Sequence, residues 1–259
     1  MKHVVMWSGG ITSWATARIV VERHGSEAVT FLFADTNSED EDLHRFNEEA
    51  AAMLGGQVVR VADPQERDTW DVFDDERYIG NTRLAPCAKL LKQVPARRWI
   101  VANTTPEDSI IYVGMDWMEP HRIPGNRAHW APWRVEYPLT EPPLFGKDHW
   151  MEEARRAGLR PPRLYELGFS HNNCAGACVK GGQGQWALLL KTFPERYAYH
   201  EERERQWRAK TGKDVTILRD RRGGITRPLT LEALRQRIEA KEAVDMDDIG
   251  GCGCFTDAA

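Results

Sequence analysis

A short stretch near the start of the chain carries the first candidate chemistry. The sequence SGGITS, residues 8–13, follows an apolar run and leads into residues with helical spacing. The first N–H groups of a helix are unpaired and its dipole attracts anions, while glycines let the backbone approach a ligand closely. Ser8, Thr12 and Ser13 add hydroxyl donors. The stretch therefore predicts a phosphate-binding loop, and the alternative is an ordinary capped helix start.

Five cysteines form the second group with chemical potential. They fall as a singleton, Cys87, and two close pairs, Cys174 with Cys178 and Cys252 with Cys254. An odd count argues against a disulfide framework, whereas this grouping is typical of metal-binding or redox cysteines. Thiolates are the usual ligands of iron–sulfur clusters and also suit structural zinc. Buried, idle thiols are the alternative.

The amino-acid composition limits the class of protein that carries the loop and the cysteines. The 259 residues are 41% hydrophobic and 29% charged, which describes an ordinary globule with a real core. No apolar stretch approaches the ~20 residues of a membrane span, and the N-terminus lacks signal-peptide features, so we expect a cytoplasmic protein. The net charge of −4 gives no general drive toward nucleic acid, although residues 219–227 are locally basic.

Strands alternating with helices predict a parallel sheet in the first two thirds of the chain. The predicted strands there are 3–7, 29–34, 57–61 and 109–114, and the predicted helices are 12–24, 40–54, 87–101 and 149–157. We expect an irregular loop over 63–84, a kink at Pro95, and a long loop over 118–143 with one short strand near 135–137. The last third predicts helices at 185–190, 194–210 and 231–243 and a strand at 215–218.

The loop at residues 8–13 resembles the S-G-G-x-D-S pyrophosphate loop of the PP-loop (adenine nucleotide α-hydrolase) superfamily, with Thr12 in the place of Asp. Enzymes of that superfamily cleave ATP between the α and β phosphates to adenylate a substrate. Residues 137–139, 149–150 and 162–169 are similar to the phosphoadenylylsulfate (PAPS) reductase branch. The resemblance covers roughly residues 3–180 and implies a doubly wound, mostly parallel α/β sheet of the Rossmann-like PP-loop type.

The same resemblance implies a binding site for an adenine nucleotide, either ATP with Mg²⁺ or an adenylylsulfate-type nucleotide. The implied nucleotide-binding residues are Ser8, Gly9, Gly10, Thr12, Ser13, Asp35 and Gly114. Arg122, in the region after the fourth strand, is implied as a catalytic residue.

The stretches PCAKLLK, residues 86–92, and CAGAC, residues 174–178, are similar to the adenylylsulfate reductases, whose cysteines hold a 4Fe–4S cluster. The family has Cys-Cys where this chain has Pro86-Cys87, and C-x-x-C where it has C-x-x-x-C. The resemblance thus implies Cys87, Cys174 and Cys178 as ligands. Cys254 or Cys252 is the candidate fourth ligand, the alternative being an open iron site, and zinc is the alternative metal.

The tail cysteines have a second implied role. In the reductase branch a cysteine on a mobile C-terminal tail attacks the sulfonyl sulfur, and thioredoxin releases the product. Cys252 and Cys254 resemble that arrangement and are candidate catalytic nucleophiles, since the thiolate is the effective attacking form.

Three hypotheses for function follow. The first is ATP-dependent adenylation coupled to sulfur transfer with an iron–sulfur cluster, a combination that resembles the bacterial DNA phosphorothioation sulfurtransferases. The second is reduction of adenylylsulfate or its 3′-phosphate to sulfite. The third is a non-catalytic component that binds nucleotide or nucleic acid through residues 219–227.

We expect a nucleotide-binding domain over 1–168 and a cysteine-rich helical region over 169–259. The expected partners are a sulfur donor or thioredoxin-like reductant and a nucleic-acid acceptor, and the oligomeric state stays open.

Overall fold

A computed structural model describes residues 1–81 and 85–251. The strands are β1 Lys2–Met6, β2 Val29–Asp35, β3 Val58–Ala62, β4 Ser109–Val113, β5 Arg134–Glu136, β6 Leu218–Asp220 and β7 Arg227–Leu229. The α-helices are α1 Ile11–His24, α2 Glu41–Met53, α3 Thr69–Glu76, α4 Val94–Asn103, α5 Ile123–Trp130, α6 Lys147–Arg156, α7 Arg163–Glu166, α8 Gln183–Thr192, α9 Pro194–Thr211 and α10 Leu231–Glu239.

Strands β1 to β5 form a parallel sheet in the order β3-β2-β1-β4-β5. The chain moves from β1 through β2 to β3 on one side, then returns to place β4 and β5 on the other. The direction of winding therefore reverses between β1 and β4. Ligands of open α/β sheets bind at such a switch point, beyond the carboxyl ends of the strands.

Apolar side chains cover both faces of this sheet, as a parallel sheet requires. Along β1, Val5 packs with α1, α2 and α6 on one face, while Val4 and Met6 pack with α4 and α5 on the other. This alternation follows from the two-residue period of a strand. The structure therefore confirms the doubly wound α/β class that the sequence predicts.

A separate apolar cluster lies in the last third of the chain. It joins α8, α9 and α10 to the β6–β7 hairpin, with Trp186, Trp207 and Leu234 among its buried members. Trp70 and Phe73 of α3 also belong to this cluster. The predicted division at residue 168 stays a prediction.

Two helices occur where the sequence predicted loops. Helix α3 lies inside the predicted loop 63–84, because Asp68 and Asp71 form a capping box and Trp70 and Phe73 supply a buried face. Helix α5 lies inside the predicted loop 118–143 and buries Trp130. The short strand predicted near 135–137 is present as β5.

The helix predicted over 87–101 has two parts. Residues Ala88–Gln93 form a π-helix, and α4 continues from Val94 with Pro95 in its first turn, where a proline is tolerated. A π-helix inserts an extra residue per turn and is frequent at functional sites.

Within residues 1–81 and 85–251, none of the helices combines the length and apolar character that crossing a bilayer requires.

Candidate functional site

A cavity of about 200 Å³ opens at the switch point, beyond the carboxyl ends of β1 and β4. Its walls come from the loop after β1, the segment after β4, and residues 165–173. The lining residues include Ser8, Gly10, Thr12, Ser13, Lys92, Gly114, Asp116, Glu119, Arg122, Lys147, Tyr165, His171, Asn172 and Asn173. The fold thus brings the predicted phosphate loop into a concave site at the switch point.

The loop is shaped by its glycines and by the start of α1. Gly9 has a φ of +72°, and a Cβ there would lie 2.6 Å from Leu43, so both conformation and space require glycine. Ser13 Oγ donates to the carbonyl of Gly10 at 2.7 Å, which holds the first turn. The N–H of Ile11 donates to Tyr165 Oη at 3.4 Å, so this N–H at the helix start faces the cavity wall.

Gly114 brings the second wall against the loop. A Cβ at Gly114 would lie 2.9 Å from the backbone oxygen of Thr12 and 3.1 Å from the nitrogen of Ser13. The end of β4 and the start of α1 therefore meet backbone to backbone. This contact places the residues after β4 at the edge of the predicted phosphate site.

Charged side chains of both signs line the cavity. Arg122 forms an ion pair with Glu119, and its Nε is buried with no hydrogen-bond partner among the described residues. Lys147 Nζ lies 4.3 Å from the ring centre of Tyr165 and donates to the carbonyl of Ser170. These cations and the N-terminus of α1 make the cavity suited to an anion.

The predicted nucleotide-binding residues separate into three groups. Ser8, Gly10, Thr12, Ser13 and Gly114 line the cavity, together with the predicted catalytic residue Arg122. Gly9 lies behind the loop, where its carbonyl accepts a hydrogen bond from Asn172 Nδ2 at 2.8 Å.

Asp35 lies apart from the cavity lining. Its buried carboxylate accepts from Arg60 Nε at 2.7 Å and from the N–H of Asn37 at 2.9 Å. These bonds give Asp35 a role in holding the end of β2, and a nucleotide contact by Asp35 stays a prediction.

A second cavity adjoins the first. Cys87, Cys174 and Cys178 all line it, with a volume of about 30 Å³. Lys92, on the π-helix that begins one residue after Cys87, lines both cavities. The fold therefore brings the three described cysteines together beside the switch-point site, although Cys87 and Cys174 are 87 positions apart in sequence.

Two of the thiols in this cavity, those of Cys87 and Cys174, are held in their neutral form. Burial, together with the neighbouring Cys174 and against a smaller opposing effect of Lys92, raises the pKa of Cys87 to about 12. A hydrogen bond with Cys178, together with burial, raises the pKa of Cys174 well above its usual range. Because the thiolate is the nucleophile, neither Cys87 nor Cys174 is activated in this state.

The loop that carries Cys174 is strained and firmly held. Cys174, Ala175 and Gly176 have successive φ values of +52°, +51° and +83°. Such a run costs free energy for the two residues with a Cβ and persists only where surrounding contacts fix it. Glu39 accepts from the N–H of Cys174 at 2.6 Å, and Arg196 donates to the carbonyl of Ala175 at 2.6 Å.

The described donors do not by themselves form a metal centre. Among residues 1–81 and 85–251, no group of three or more His, Cys, Asp or Glu side chains is arranged to hold a metal ion. Cys252 and Cys254 lie outside the described residues. The cluster, the zinc alternative and the ligand set Cys87, Cys174, Cys178 and Cys254 stay predictions.

The basic stretch 219–227 forms the β6–β7 hairpin. Its charge is partly neutralised, since Asp220 pairs with Arg222 and Arg237, and Arg221 lies 3.8 Å from Asp248. Nucleic-acid binding by this hairpin stays a prediction.

Several cavity residues had no role assigned from sequence. Lys92 stood inside the quoted stretch PCAKLLK, but only the fold shows that it faces both cavities. Lys147, Asp116 and Glu119 carry no local signal, because single charged residues after a strand or at a helix start are common on protein surfaces. His171 and Asn172, which precede the cysteine pair in sequence, also line the cavity.

The comparison with solved structures finds chains that are similar to this one in fold. The chain is similar to the crystal structure of phosphoadenylyl-sulfate (PAPS) reductase from Candida auris in complex with phosphate. The match has 11% sequence identity and a TM-score of 0.49, and it covers 67% of this chain and 81% of that chain. No family model matches the chain, and neither does any curated protein sequence.

Proposed function

We propose that the protein binds an adenine nucleotide at the switch point and carries out thiol-dependent sulfur chemistry on it, as ATP-dependent adenylation coupled to sulfur transfer. One observation carries this proposal: Lys92 lines both the switch-point cavity and the cavity of Cys87, Cys174 and Cys178. One cavity is suited to phosphate and the other is lined by thiols, and both share the buried ammonium group of Lys92. This arrangement is suited to chemistry between a nucleotide and sulfur.

The phosphates would bind at the start of α1. Backbone N–H groups of the loop 8–13 and the positive end of the helix dipole attract the phosphate oxygens, and the hydroxyl groups of Ser8 and Thr12 add donors. Arg122 and Lys147 supply positive charge from the opposite wall. The resemblance of the loop to pyrophosphate loops points to ATP as the nucleotide.

In the adenylation step an acceptor oxygen attacks the α-phosphorus, and the bond to the β-phosphate oxygen breaks. The electron pair of that bond leaves with pyrophosphate. The cations and N–H groups around the loop stabilise the charge that develops on the leaving group, which is the kind of fixed electrostatic support that lowers barriers most. Mg²⁺ would add to this neutralisation, and the carboxylates available near it are Asp116 and Glu119.

The sulfur carrier is assigned to the tail. In the transfer step a tail cysteine that carries a persulfide from the sulfur donor attacks the adenylated atom, and AMP leaves with the electron pair of the broken bond. The other tail cysteine then displaces the first from the transferred sulfur and forms a disulfide, which a dithiol reductant reduces. Cys87 and Cys174 have pKa values raised by burial and by neighbouring thiols, so they are poor nucleophiles at neutral pH. We therefore propose Cys252 or Cys254 for that role. No step is assigned to an iron–sulfur cluster, and its presence is a question for an iron and zinc assay after anaerobic purification.

A second candidate function is reduction of adenylylsulfate to sulfite, and Thr12 favours it. Thr12 places an uncharged hydroxyl at the cavity, where related ATP-cleaving loops carry a carboxylate that helps to organise Mg²⁺. A nucleotide with a single phosphate beside its sulfate has less need of that carboxylate.

Two assays separate these functions. Exchange of labelled pyrophosphate into ATP supports adenylation, whereas sulfite release from adenylylsulfate with a dithiol reductant supports the reductase. Replacing Lys92 by Met should lower the active reaction at least tenfold, or ~1.4 kcal/mol in the barrier. Lys89→Met on the same π-helix is the matched control, because Lys89 is exposed and lines neither cavity. Absence of both activities, with no nucleotide binding by calorimetry, would refute the proposal.

A further inference from the structure

The segment at residues 246–251, here the C-terminal strap, packs along residues 181–184, here the glycine track. The N–H of Gly184 donates to the carbonyl of Asp248 at 2.9 Å. Gly181 and Gly250 form an isolated antiparallel bridge, and the N–H of Gly251 donates to the carbonyl of Lys180 at 3.2 Å. The strap is thus bonded through its backbone to the segment that follows Cys178.

The approach of the strap leaves no room for a side chain on the track. A Cβ at Gly182 would lie 2.1 Å from the carbonyl oxygen of Asp248, and one at Gly184 would lie 2.2 Å from that of Met246. Gly182 has an ordinary φ of −86°. The close contact with the strap, and not an unusual backbone conformation, is therefore what requires glycine at position 182.

We propose that the glycine track is a docking seat that holds the C-terminal strap and so fixes the base of the tail that bears Cys252 and Cys254. The docking stands on the contacts above, while the use of the tail thiols rests on the proposed function. Lys180, which accepts the bond from Gly251, also lines the cavity of Cys87, Cys174 and Cys178.

Docking of the strap on the glycine track determines where the tail cysteines begin. Cys252 follows directly on Gly251, whose N–H is bonded to the carbonyl of Lys180, a residue that lines the cavity of Cys87, Cys174 and Cys178. Holding a reactive group on a short tether raises its effective concentration at a nearby site, in the millimolar range for short linkers. A released strap would leave the same thiols on a longer, freely moving chain.

The first test measures docking without any activity. The variants Gly182→Ala and Gly184→Ala place a methyl group against the strap. Gly146→Ala is the matched control, because Gly146 also precedes a helix, has a φ of −83° and has nothing within 4 Å of its Cβ position. Cleavage of the full chain by a protease that cuts before aspartate, at Asp245, Asp247 or Asp248, should be at least tenfold faster in the two track variants and unchanged in the control.

Amide hydrogen exchange adds a direct reading of the seat. The N–H of Gly184 bonds to the strap, so its exchange in Gly182→Ala should be at least tenfold faster than in the native chain. Circular dichroism and thermal unfolding confirm that each variant is folded. If the variants Gly182→Ala and Gly184→Ala are folded but show the cleavage and exchange rates of the native chain, the proposal is wrong.

The second test addresses the tail thiols. Diamide removes two electrons and two protons from a pair of thiols, which forms a disulfide that mass spectrometry can map. We expect a tail cysteine to pair with Cys87, Cys174 or Cys178 in the native chain, several-fold faster than in Gly184→Ala. Faster cleavage in the variants without nucleotide turnover in the native chain would uphold the seat and refute the proposed function. Equal pairing rates would refute the positioning role.

Discussion

Lys92 Nζ lies 3.1 Å from a carboxylate oxygen of Glu39, and the two side chains are only 6% and 1% exposed. The same carboxylate accepts from the hydroxyl of Thr36 at 3.0 Å and from the N–H of Cys174 at 2.6 Å. Glu39 therefore connects the cation shared by the two cavities to the strained loop of the cysteine pair. A substitution of Glu39 or Lys92 should therefore alter the structure of both cavities.

Glu39→Gln should destabilise the fold by about 3 kcal/mol, because it removes the carboxylate charge that pairs with the buried ammonium group of Lys92. The double variant Glu39→Gln with Lys92→Met should recover much of that loss, since neither charge then remains buried. Urea unfolding of both single variants and the double variant measures the coupling. Additive losses in the double variant would contradict a coupled pair.

A surface ion pair supplies the control for that cycle. Arg23 and Glu141 lie 2.8 Å apart with both side chains more than 40% exposed. Exposed pairs contribute roughly 0–1 kcal/mol, so Glu141→Gln should change the free energy of unfolding far less than Glu39→Gln.

Gly114→Ala should weaken nucleotide binding by about tenfold, or ~1.4 kcal/mol. The added Cβ meets the backbone of Thr12 and Ser13, which cannot rotate aside as a side chain would, so the predicted phosphate loop has to shift. Such overpacking also costs about 1–3 kcal/mol of stability. Calorimetric titration with ATP and a thermal unfolding curve measure the two effects.

The comparison for Gly114→Ala is again Gly146→Ala, which adds a methyl group in open space. If Gly114→Ala keeps native affinity and native unfolding temperature, the backbone contact between β4 and α1 does not shape the site.

Glu204→Ala should destabilise the C-terminal helices by about 2–4 kcal/mol. Glu204 is 1% exposed, and its carboxylate accepts from the N–H groups of Ile217 and Leu231, each at 2.7 Å. Removing the acceptor leaves two buried donors unpaired, at roughly 1–3 kcal/mol each. Glu204→Gln keeps one acceptor oxygen and should lose about half as much. A loss below ~0.5 kcal/mol in Glu204→Ala, by urea unfolding, would show that these bonds matter little.

The sheet could be predicted because its strands are short apolar runs separated by helical spacing and glycine. The loop at 8–13 could be predicted to line a site, since a strand followed by a glycine turn and a helix has one common geometry. Helix α3 could not, because its eight residues offer only Trp70, Val72 and Phe73 as a buried face, and the partner surface comes from α9 and the residues after it. Tertiary packing decides such short helices.

In the candidate site, too, some features could be predicted from the sequence and others could not. The meeting of Cys87 with Cys174 and Cys178 was expected from resemblance, but spacing in sequence says nothing about the position of Lys92 between two cavities. The sequence of the glycine track shows only that it is rich in glycine. Its requirement for glycine comes from a strap more than 60 residues later in the chain, which no local pattern contains.

The last prediction concerns the pH dependence of folding. The rings of His3 and His24 are stacked with centroids 3.8 Å apart, and Tyr112 Oη lies 2.8 Å from His3 Nδ1. Burial lowers the pKa of His3, with smaller contributions in the same direction from His24 and the N-terminus, against an opposing effect of Glu136. Below pH 6.5 the unfolded chain thus binds more protons at His3 than the folded chain does.

Stability from this group is therefore complete above pH 6.5 and is lost as the pH falls from 6.5 through the lowered pKa of His3. His3→Asn, whose amide can still meet Tyr112, should show a smaller loss of unfolding free energy between pH 7 and pH 5 than the native chain. His121→Asn, at an exposed position, should keep the native dependence. Urea unfolding at several pH values measures the slopes, and equal slopes for His3→Asn and the native chain would exclude His3 as the group responsible.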